Sequence, residues 1–370
     1  MKKSIILIII IACVAALLTA IYGRIQRNAE IRIQDGKPVV KIGVLYPMSG
    51  NVAIFGEAAK AALDIFQEDL KQKNGKYAYE FIFEDSRLQN AVAATNIRKL
   101  IDFDQVDAVI TMITGNVTAP VADKARVLHF TASLDPQSAR GDYAFNITTS
   151  TETLAKKMVA ELNKHHIKRV TIVSVNNMNT SLFIDKLKEL ATETTIGDVY
   201  RFNTGERNFD IMLTKAMRGK PDMLLVFGFP PETDIVMRRL MEKGNTIPVS
   251  TFESFTALQD KRLAEGYWYV DAGATSPDFL KKYAGKTGKD VLNYADFMYA
   301  MMQIIENGYE KAVVAEGKIK PDAIEVARAI QENTNGMETA VGAVSIDAAG
   351  IVSTPASLKK VENGQIVRLD

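Results

Sequence analysis

Cysteine is almost missing from this chain. Among 370 residues there is one, Cys13, and it sits in an apolar N-terminal stretch. The rest of the chain therefore has no disulfide and no thiol chemistry, and its stability has to come from packing. A surplus of charge is missing as well: 45 Lys and Arg against 44 Asp and Glu leave a formal net charge of +1. That balance supplies no electrostatic footprint for nucleic acid or another polyanion. Histidine occurs three times. His129 falls in an apolar strand-like run and reads as a core residue, while His165 and His166 are adjacent at a helix end. Neighbouring helical side chains diverge by about 100°, so that pair does not readily share a metal, and no H-x3-H spacing occurs. Neither GxxxxGK[ST] nor GxGxxG follows a strand, and there is no G-x-S-x-G elbow. No metal, nucleotide or other cofactor is implied.

What the sequence has in abundance is apolar length at its start. MKKSIILIIIIACVAALLTAIYGR opens with Lys2 and Lys3 and runs apolar from Ile5 to Tyr22, 18 positions. That length lies between a signal-peptide core and a membrane span. The Lys pair stays inside and the remainder is exported to a periplasmic or other extracytoplasmic location. Leu18-Thr19-Ala20 offers a small-residue cleavage site without a clean A-x-A pattern. A cleaved signal peptide and a retained inner-membrane anchor through residues 5–22 both remain open. Ile10-Ile11-Ala12-Cys13 loosely resembles a lipobox, so lipidation at Cys13 is a third alternative, although the apolar run continues nine residues past it.

Gly23 to Pro38 is charged and irregular and reads as a tether, so residues 1–38 stand apart from the globular body. From Val39 onward, short β-branched runs alternate with helical patterns. VVKIGVL (39–45), YEFIFED (79–85), VDAVITMI (106–113) and VLHFTAS (127–133) are each separated by an amphipathic stretch. The alternation restarts at RVTIVSV (169–175) and continues through DVYRF (198–202) and DMLLVFGF (222–229). Strand–helix alternation implies parallel sheets covered by helices on both faces. A chain this long exceeds one compact core, and two successive units of similar size predict an α/β protein of two Rossmann-like lobes. The expected partition is 39–150 with 276–343 in the first lobe and 151–275 with 344–370 in the second.

Ligands of such folds meet the loops past the carboxyl ends of strands. KIGVLYPMSGNVAIFGE (41–57) places the Ser49 hydroxyl and free backbone amides there, with Phe55 able to wall a pocket. TGNVTAP (114–120) brings amides and Thr118 to a helix start, suited to a carboxylate. TASLDP (131–136), VNNMNT (175–180), FGFPPE (227–232) and TFESF (251–255) occupy equivalent places. Polar and aromatic loops from two lobes predict a cleft between them. Glu253, between Phe252 and Phe255, is either solvated or holds a cation.

The ordered set of segments resembles the type I periplasmic substrate-binding proteins of the leucine/isoleucine/valine-binding class, receptors of ABC importers. KIGVLYPMSGNVAIFGE resembles that family's opening strand, M-S-G turn and helix start. FEDSRLQNAVAATNIRKLI resembles its acidic strand end and following helix, NYADFMYAMMQII a late helix with paired tyrosines, and VGAVSIDAAG its closing segment. The resemblance runs from about Lys41 to the end. It implies lobes joined by three crossings that close on a small-molecule ligand by hinge motion, membrane subunits of an importer as partners, and no catalysis. It also implies site residues. Phe55 matches an aromatic wall, Glu253 an acid that binds an ammonium, Phe229 an aromatic that is usually tyrosine, and Tyr294 a side-chain pocket aromatic. Gly115 stands where a serine usually binds carboxylate, Leu134 where a threonine does, and Asn179-Thr180 replace Tyr-Gly. The expected anion contacts are then amides near Gly115, Ala132 and Ser133, with Asn116 or Thr118 supplying a side chain. A ligand sensor or a protein-binding envelope module on the same fold is the alternative to transport. An envelope enzyme would need a base and a nucleophile within reach of one another, and no such pair stands out.

Overall fold

The computed structural model describes residues 31–292 and 294–370. The apolar segment 5–22 and Cys13 lie outside the described residues. Within them, no helix is long and apolar enough to cross a membrane.

The first sheet starts with a hairpin. β1 (Ile33–Gln34) pairs antiparallel with β2 (Lys37–Tyr46) through an Asp35-Gly36 turn whose two residues both have positive φ, 50° and 76°. An Asp-Gly pair is the favoured chemistry for such a turn. The expected tether to Pro38 therefore ends earlier, because six of its residues form a short edge hairpin. From Val39 the strand is apolar on both faces, as a parallel strand sandwiched between helices must be. β3 (Ala78–Asp85), β4 (Ala108–Met112), β5 (Leu128–Ala132) and β6 (Ala144–Thr148) extend the sheet in parallel, in the order β3-β2-β4-β5-β6. Helices α1 (Ala53–Gln72), α2 (Asn90–Asp102) and α3 (Gly115–Ala125) make the crossovers.

The second unit follows α4 (Thr151–Lys164), whose start is capped by Ser150 accepting from Thr153 N. β7 (Arg169–Val175), β8 (Thr195–Phe202), β9 (Met223–Phe227) and β10 (Val249–Ser250) form a parallel sheet in the order β10-β9-β7-β8. Helices α5 (Met178–Leu190), α6 (Asp210–Arg218) and α7 (Glu232–Glu242) connect them. β11 (Trp268–Ala272) adjoins this sheet through a Phe252–Val270 bridge. The chain then returns to the first unit with α8 (Pro277–Thr287), α9 (Ala295–Lys311) and α10 (Ala323–Asn333). α9 is buried on nearly every side and packs against α1 and α10.

Strand pairing also revises the expected switch at residue 344. β12 (Met337–Thr339), β13 (Gly342–Ile346) and β14 (Ile351–Ser353) all belong to the first sheet, and β14 lies parallel to β6, with Ser353 opposite Thr148. Only β15 (Ala356–Glu362) and β16 (Gln365–Arg368) join β11. The hydrophobic pattern of 342–353 is that of a sheet strand and cannot say which sheet.

Three crossings thus join the two sheets, at Thr149, near Gly273 and at Thr354-Pro355. One hydroxyl ties them. Thr149 Oγ1 receives the Gly273 amide at 2.9 Å, contacts Thr354 Oγ1 at 2.5 Å and donates to the Pro355 carbonyl at 3.1 Å.

Candidate functional site

Phe55 enters the cleft from the first turn of α1. Its place depends on Gly56, where a Cβ would lie 2.4 Å from the Pro47 carbonyl oxygen. Only glycine lets the helix start pack back on the turn after β2. The Phe55 ring stands edge-to-face with Phe229 at 5.9 Å and with Tyr294 at 6.0 Å, both at 87°. Phe229 follows β9 in the second lobe and Tyr294 precedes α9 in the first, so the three rings bridge the lobes.

Glu253 and Tyr294 face each other across the same gap, and both have left-handed backbones, with φ of 60° and 74°. Such conformations are uncommon for non-glycine residues and cluster at functional sites. The Glu253 backbone is fixed by its amide donating to Val270 O at 2.9 Å. Tyr294 Oη donates to Glu253 Oε2 at 3.5 Å, the outer limit of a hydrogen bond. A second cross-lobe contact, at the same distance, runs from Ser133 Oγ to Asn179 Oδ1.

Beneath Glu253 lies a buried ionic layer. Asp271, with no exposed surface, pairs with Lys359 Nζ at 2.6 Å and accepts from Thr256 Oγ1 at 3.0 Å. Asp296, at the start of α9, accepts from Thr275 Oγ1 at 2.6 Å and from the Phe297 amide at 2.9 Å. Burial, reinforced by the negative charges of Asp271 and Asp296, pushes the Glu253 carboxyl up to about 8. Burial also raises Asp296, to about 6, against the opposing hydrogen bond from Thr275.

The cleft has two adjoining parts, which share Leu134, Glu253 and Tyr294. Phe55, Leu134, Asn179, Phe229, Glu253 and Tyr294 meet in the larger part, and Ala132 and Ser133 line the smaller. The remaining expected residues are elsewhere. Ser49 Oγ donates to Asp85 Oδ2 at 2.5 Å on an exposed turn, capping a strand end rather than facing the cleft. Thr118 Oγ1 donates to Thr114 O at 3.0 Å and lies 2.8 Å from His129 Nε2 inside the first lobe. That hydroxyl is then an acceptor for the ring, which places the imidazole proton on Nε2. Burial holds His129 down at about 3, so it is a neutral core residue. At Gly115 a Cβ would meet Thr131 Cγ2 and Ser138 Cβ at 2.7 Å, so this glycine serves close packing. Asn116 lines neither part of the cleft.

Several lining residues were not singled out from sequence: Asn177, Phe252, Ser254 and Thr149. All but Thr149 fall in the segments past strand ends, 175–180 and 251–255, that the sequence had marked. Asn177 and Thr180 are partly committed to the fold, since Asn177 Oδ1 caps α5 by accepting from Thr180 N at 2.9 Å. Among the described residues, no group of three His, Cys, Asp or Glu is arranged to hold a metal. The side chains in the cleft are a carboxylate, amides, hydroxyls and rings, which together can desolvate and hold a small molecule.

A model of the periplasmic binding protein family matches residues 39–365. The chain is similar to Leu/Ile/Val-binding protein homolog 3 of Brucella melitensis, at 22% identity over 90% of this chain and 94% of that protein. Among solved structures it is similar to the substrate-binding protein LivJ of Streptococcus pneumoniae in complex with isoleucine, at 20% identity and a TM-score of 0.77, covering 90% of this chain and all of that one. It is also similar to an ABC-transporter solute-binding protein of R. palustris in complex with benzoate, at 16% identity and a TM-score of 0.79, covering 90% of this chain and 95% of that one. With the family match spanning nearly the whole described body, and with two α/β lobes facing each other across a cleft, the chain belongs to the type I periplasmic binding proteins of the Leu/Ile/Val-binding family.

Proposed function

We propose that this protein is the extracytoplasmic receptor of an ABC importer, which traps a small amine-bearing molecule, an amino acid or a close relative, by closure of the two lobes. The observation that carries this reading is the cleft wall shared between lobes: Phe55 and Tyr294 from one and Phe229 and Glu253 from the other, within ring or hydrogen-bond contact. A ligand seated there stabilises the closed arrangement because it adds contacts that the open one lacks. Glu253 receives the ammonium, and the rings receive the apolar body. The bound molecule leaves chemically unchanged, handed to the membrane subunits of the importer. The apolar segment at residues 5–22 keeps the receptor exported and, where retained, beside those subunits.

The test is a thermal-shift screen of the purified protein against amino acids, amines, amides and small aromatic acids. A ligand at 100 times its Kd adds about 2.7 kcal/mol of stability. Loss of uptake of that ligand on gene deletion is the expected companion result. Binding without any uptake defect moves the assignment to a sensor, and silence across the whole screen overturns the receptor reading.

A further inference from the structure

The cleft sorts charge in one direction. Among the described residues, Glu253 is the single carboxylic acid lining its two parts, and no Lys, Arg or His lines either. Immediately behind it are Asp271 and Asp296, against one lysine, Lys359, whose ammonium is engaged 2.6 Å from Asp271. The groups best placed by sequence to meet an anion are used within the fold. The Ser133 amide donates to Asn146 Oδ1 at 3.0 Å, the Asp135 amide to Ser133 Oγ at 3.1 Å, and Thr118 Oγ1 to Thr114 O. Leu134 brings hydrocarbon to the centre of the cleft, in contact with both parts.

The rest of the wall is aromatic. Phe55, Phe229 and Tyr294 form a perpendicular set, with Phe227 and Phe252 tilted at 58° to one another, 5.0 Å apart, on the second-lobe side. Ring faces carry partial negative charge and attract cations, more strongly once water is excluded. A carboxylate brought here would lose its hydration beside three acids and several ring faces, with no cation to compensate. An ammonium meets the opposite conditions at every one of these groups.

We infer that, within the receptor function proposed above and narrowing its ligand from amino acids to their amine relatives, this cleft selects small apolar organic monocations that carry an amine and no carboxylate. Isoleucine and benzoate, found with the two solved relatives, both carry a carboxylate, so the inference separates this chain's ligand from theirs. Asn179 and Ser133, one in each part of the cleft, supply neutral hydrogen-bonding groups compatible with an N–H of the same ammonium.

The test uses the full chain purified in detergent and titrated calorimetrically with matched trios. One trio is isoamylamine, leucine and 4-methylpentanoate; the other is phenethylamine, phenylalanine and 3-phenylpropionate. Each trio keeps the apolar body and varies only the charged groups. An amine that binds at least tenfold more tightly than its amino acid, with the acid not binding, is the expected result. An amino acid or acid that binds more tightly than the matched amine overturns the monocation assignment and leaves the receptor reading standing. No binding by any of the six compounds, together with silence in the wider screen, overturns both. Glu253→Gln lowers amine affinity at least a hundredfold while the unligated melting temperature holds or rises. Phe229→Leu lowers it several-fold with no change in fold by circular dichroism. If Glu253→Gln melts normally and still binds the amine, the carboxylate has no part in recognition and the inference falls.

Discussion

Glu253 combines a left-handed backbone with a carboxyl pushed up to about 8, first by burial and then by the charges of Asp271 and Asp296. Tyr294 Oη faces it as a hydrogen-bond donor, and Lys359 opposes the shift from behind Asp271. The consequence for binding has a definite sign. At pH below about 8 the carboxyl is mostly protonated in the empty cleft, and a cation has to displace that proton to bind. Affinity for a quaternary ammonium, which does not itself titrate, should therefore rise about tenfold per pH unit toward pH 8 and level off above it. A flat profile between pH 6 and 8 in calorimetry would remove Glu253 from the site. The same shift affects the empty protein in the opposite sense. A carboxyl raised from its usual 4.5 to about 8 binds more protons folded than unfolded across that window. Its contribution to unligated stability falls as pH rises through the window, so the melting temperature of the empty protein should decline more steeply there than that of the Glu253→Gln variant. Asp271 presents a different case at the same scale. Asp271→Asn leaves the Lys359 ammonium buried with its partner neutralised, which should cost about 3–5 kcal/mol in denaturant unfolding. A loss below 1 kcal/mol would show that Asp296 alone satisfies the lysine.

Among the elements, the crossings decide how the lobes move, and Thr149 joins all three through one hydroxyl. Thr149→Val preserves shape and removes the acceptor of the buried Gly273 amide. It should cost about 1–3 kcal/mol of stability and broaden the distribution between open and closed forms, read as a larger radius of gyration without ligand. An unchanged radius and unchanged stability would mean the backbone pairing of β14 with β6 governs the hinge without help from the hydroxyl. The sequence showed most of the elements around this hinge. The first four parallel strands and the restart at Arg169 are runs of strand length rich in apolar residues, and each appears where the pattern put it. The switch after Ser353 was not visible, because 342–353 pairs with a strand about two hundred residues earlier and pattern carries no information about partners. The β1 hairpin was missed for a different reason: its strand is two exposed residues long, and only Asp35-Gly36 announced it.

The candidate site was legible partly from strand ends, which marked Phe55, Phe229 and Glu253, and partly from the family resemblance, which alone pointed to Tyr294. The four converge, although each is remote from the others in sequence. Thr118 and Gly115 do not join them, because a hydroxyl or glycine at a helix start serves the lobe interior as readily as a ligand. That difference depends on side-chain direction, set by packing against His129, Thr131 and Ser138.

The whole molecule has separate apolar cores for its two lobes. Two lie on the first sheet, one centred on α1 and α9 and one under α2 and α3, and two surround the second sheet. Between the lobes run three short crossings, a Lys261–Asp290 ion pair at 3.7 Å and the cleft contacts, two of which are hydrogen bonds at the limiting length of 3.5 Å. Coupling between lobes is therefore weak without ligand, and two-state unfolding is not guaranteed. The single tryptophan tests this directly. Trp268 lies on β11, stacks on His165 at 5.5 Å and belongs to the second lobe alone. Its fluorescence reports that lobe, whereas far-ultraviolet circular dichroism reports both. In the empty protein the two signals should give midpoints several degrees apart on heating. At ligand concentrations near 100 times Kd the closed cleft adds about 2.7 kcal/mol that depends on both lobes being folded, so the midpoints should converge and rise together. Coincident midpoints in the empty protein would show that the crossings alone enforce cooperativity. Separate midpoints that persist in saturating ligand would place the ligand on one lobe, outside the shared wall of Phe55, Phe229, Glu253 and Tyr294.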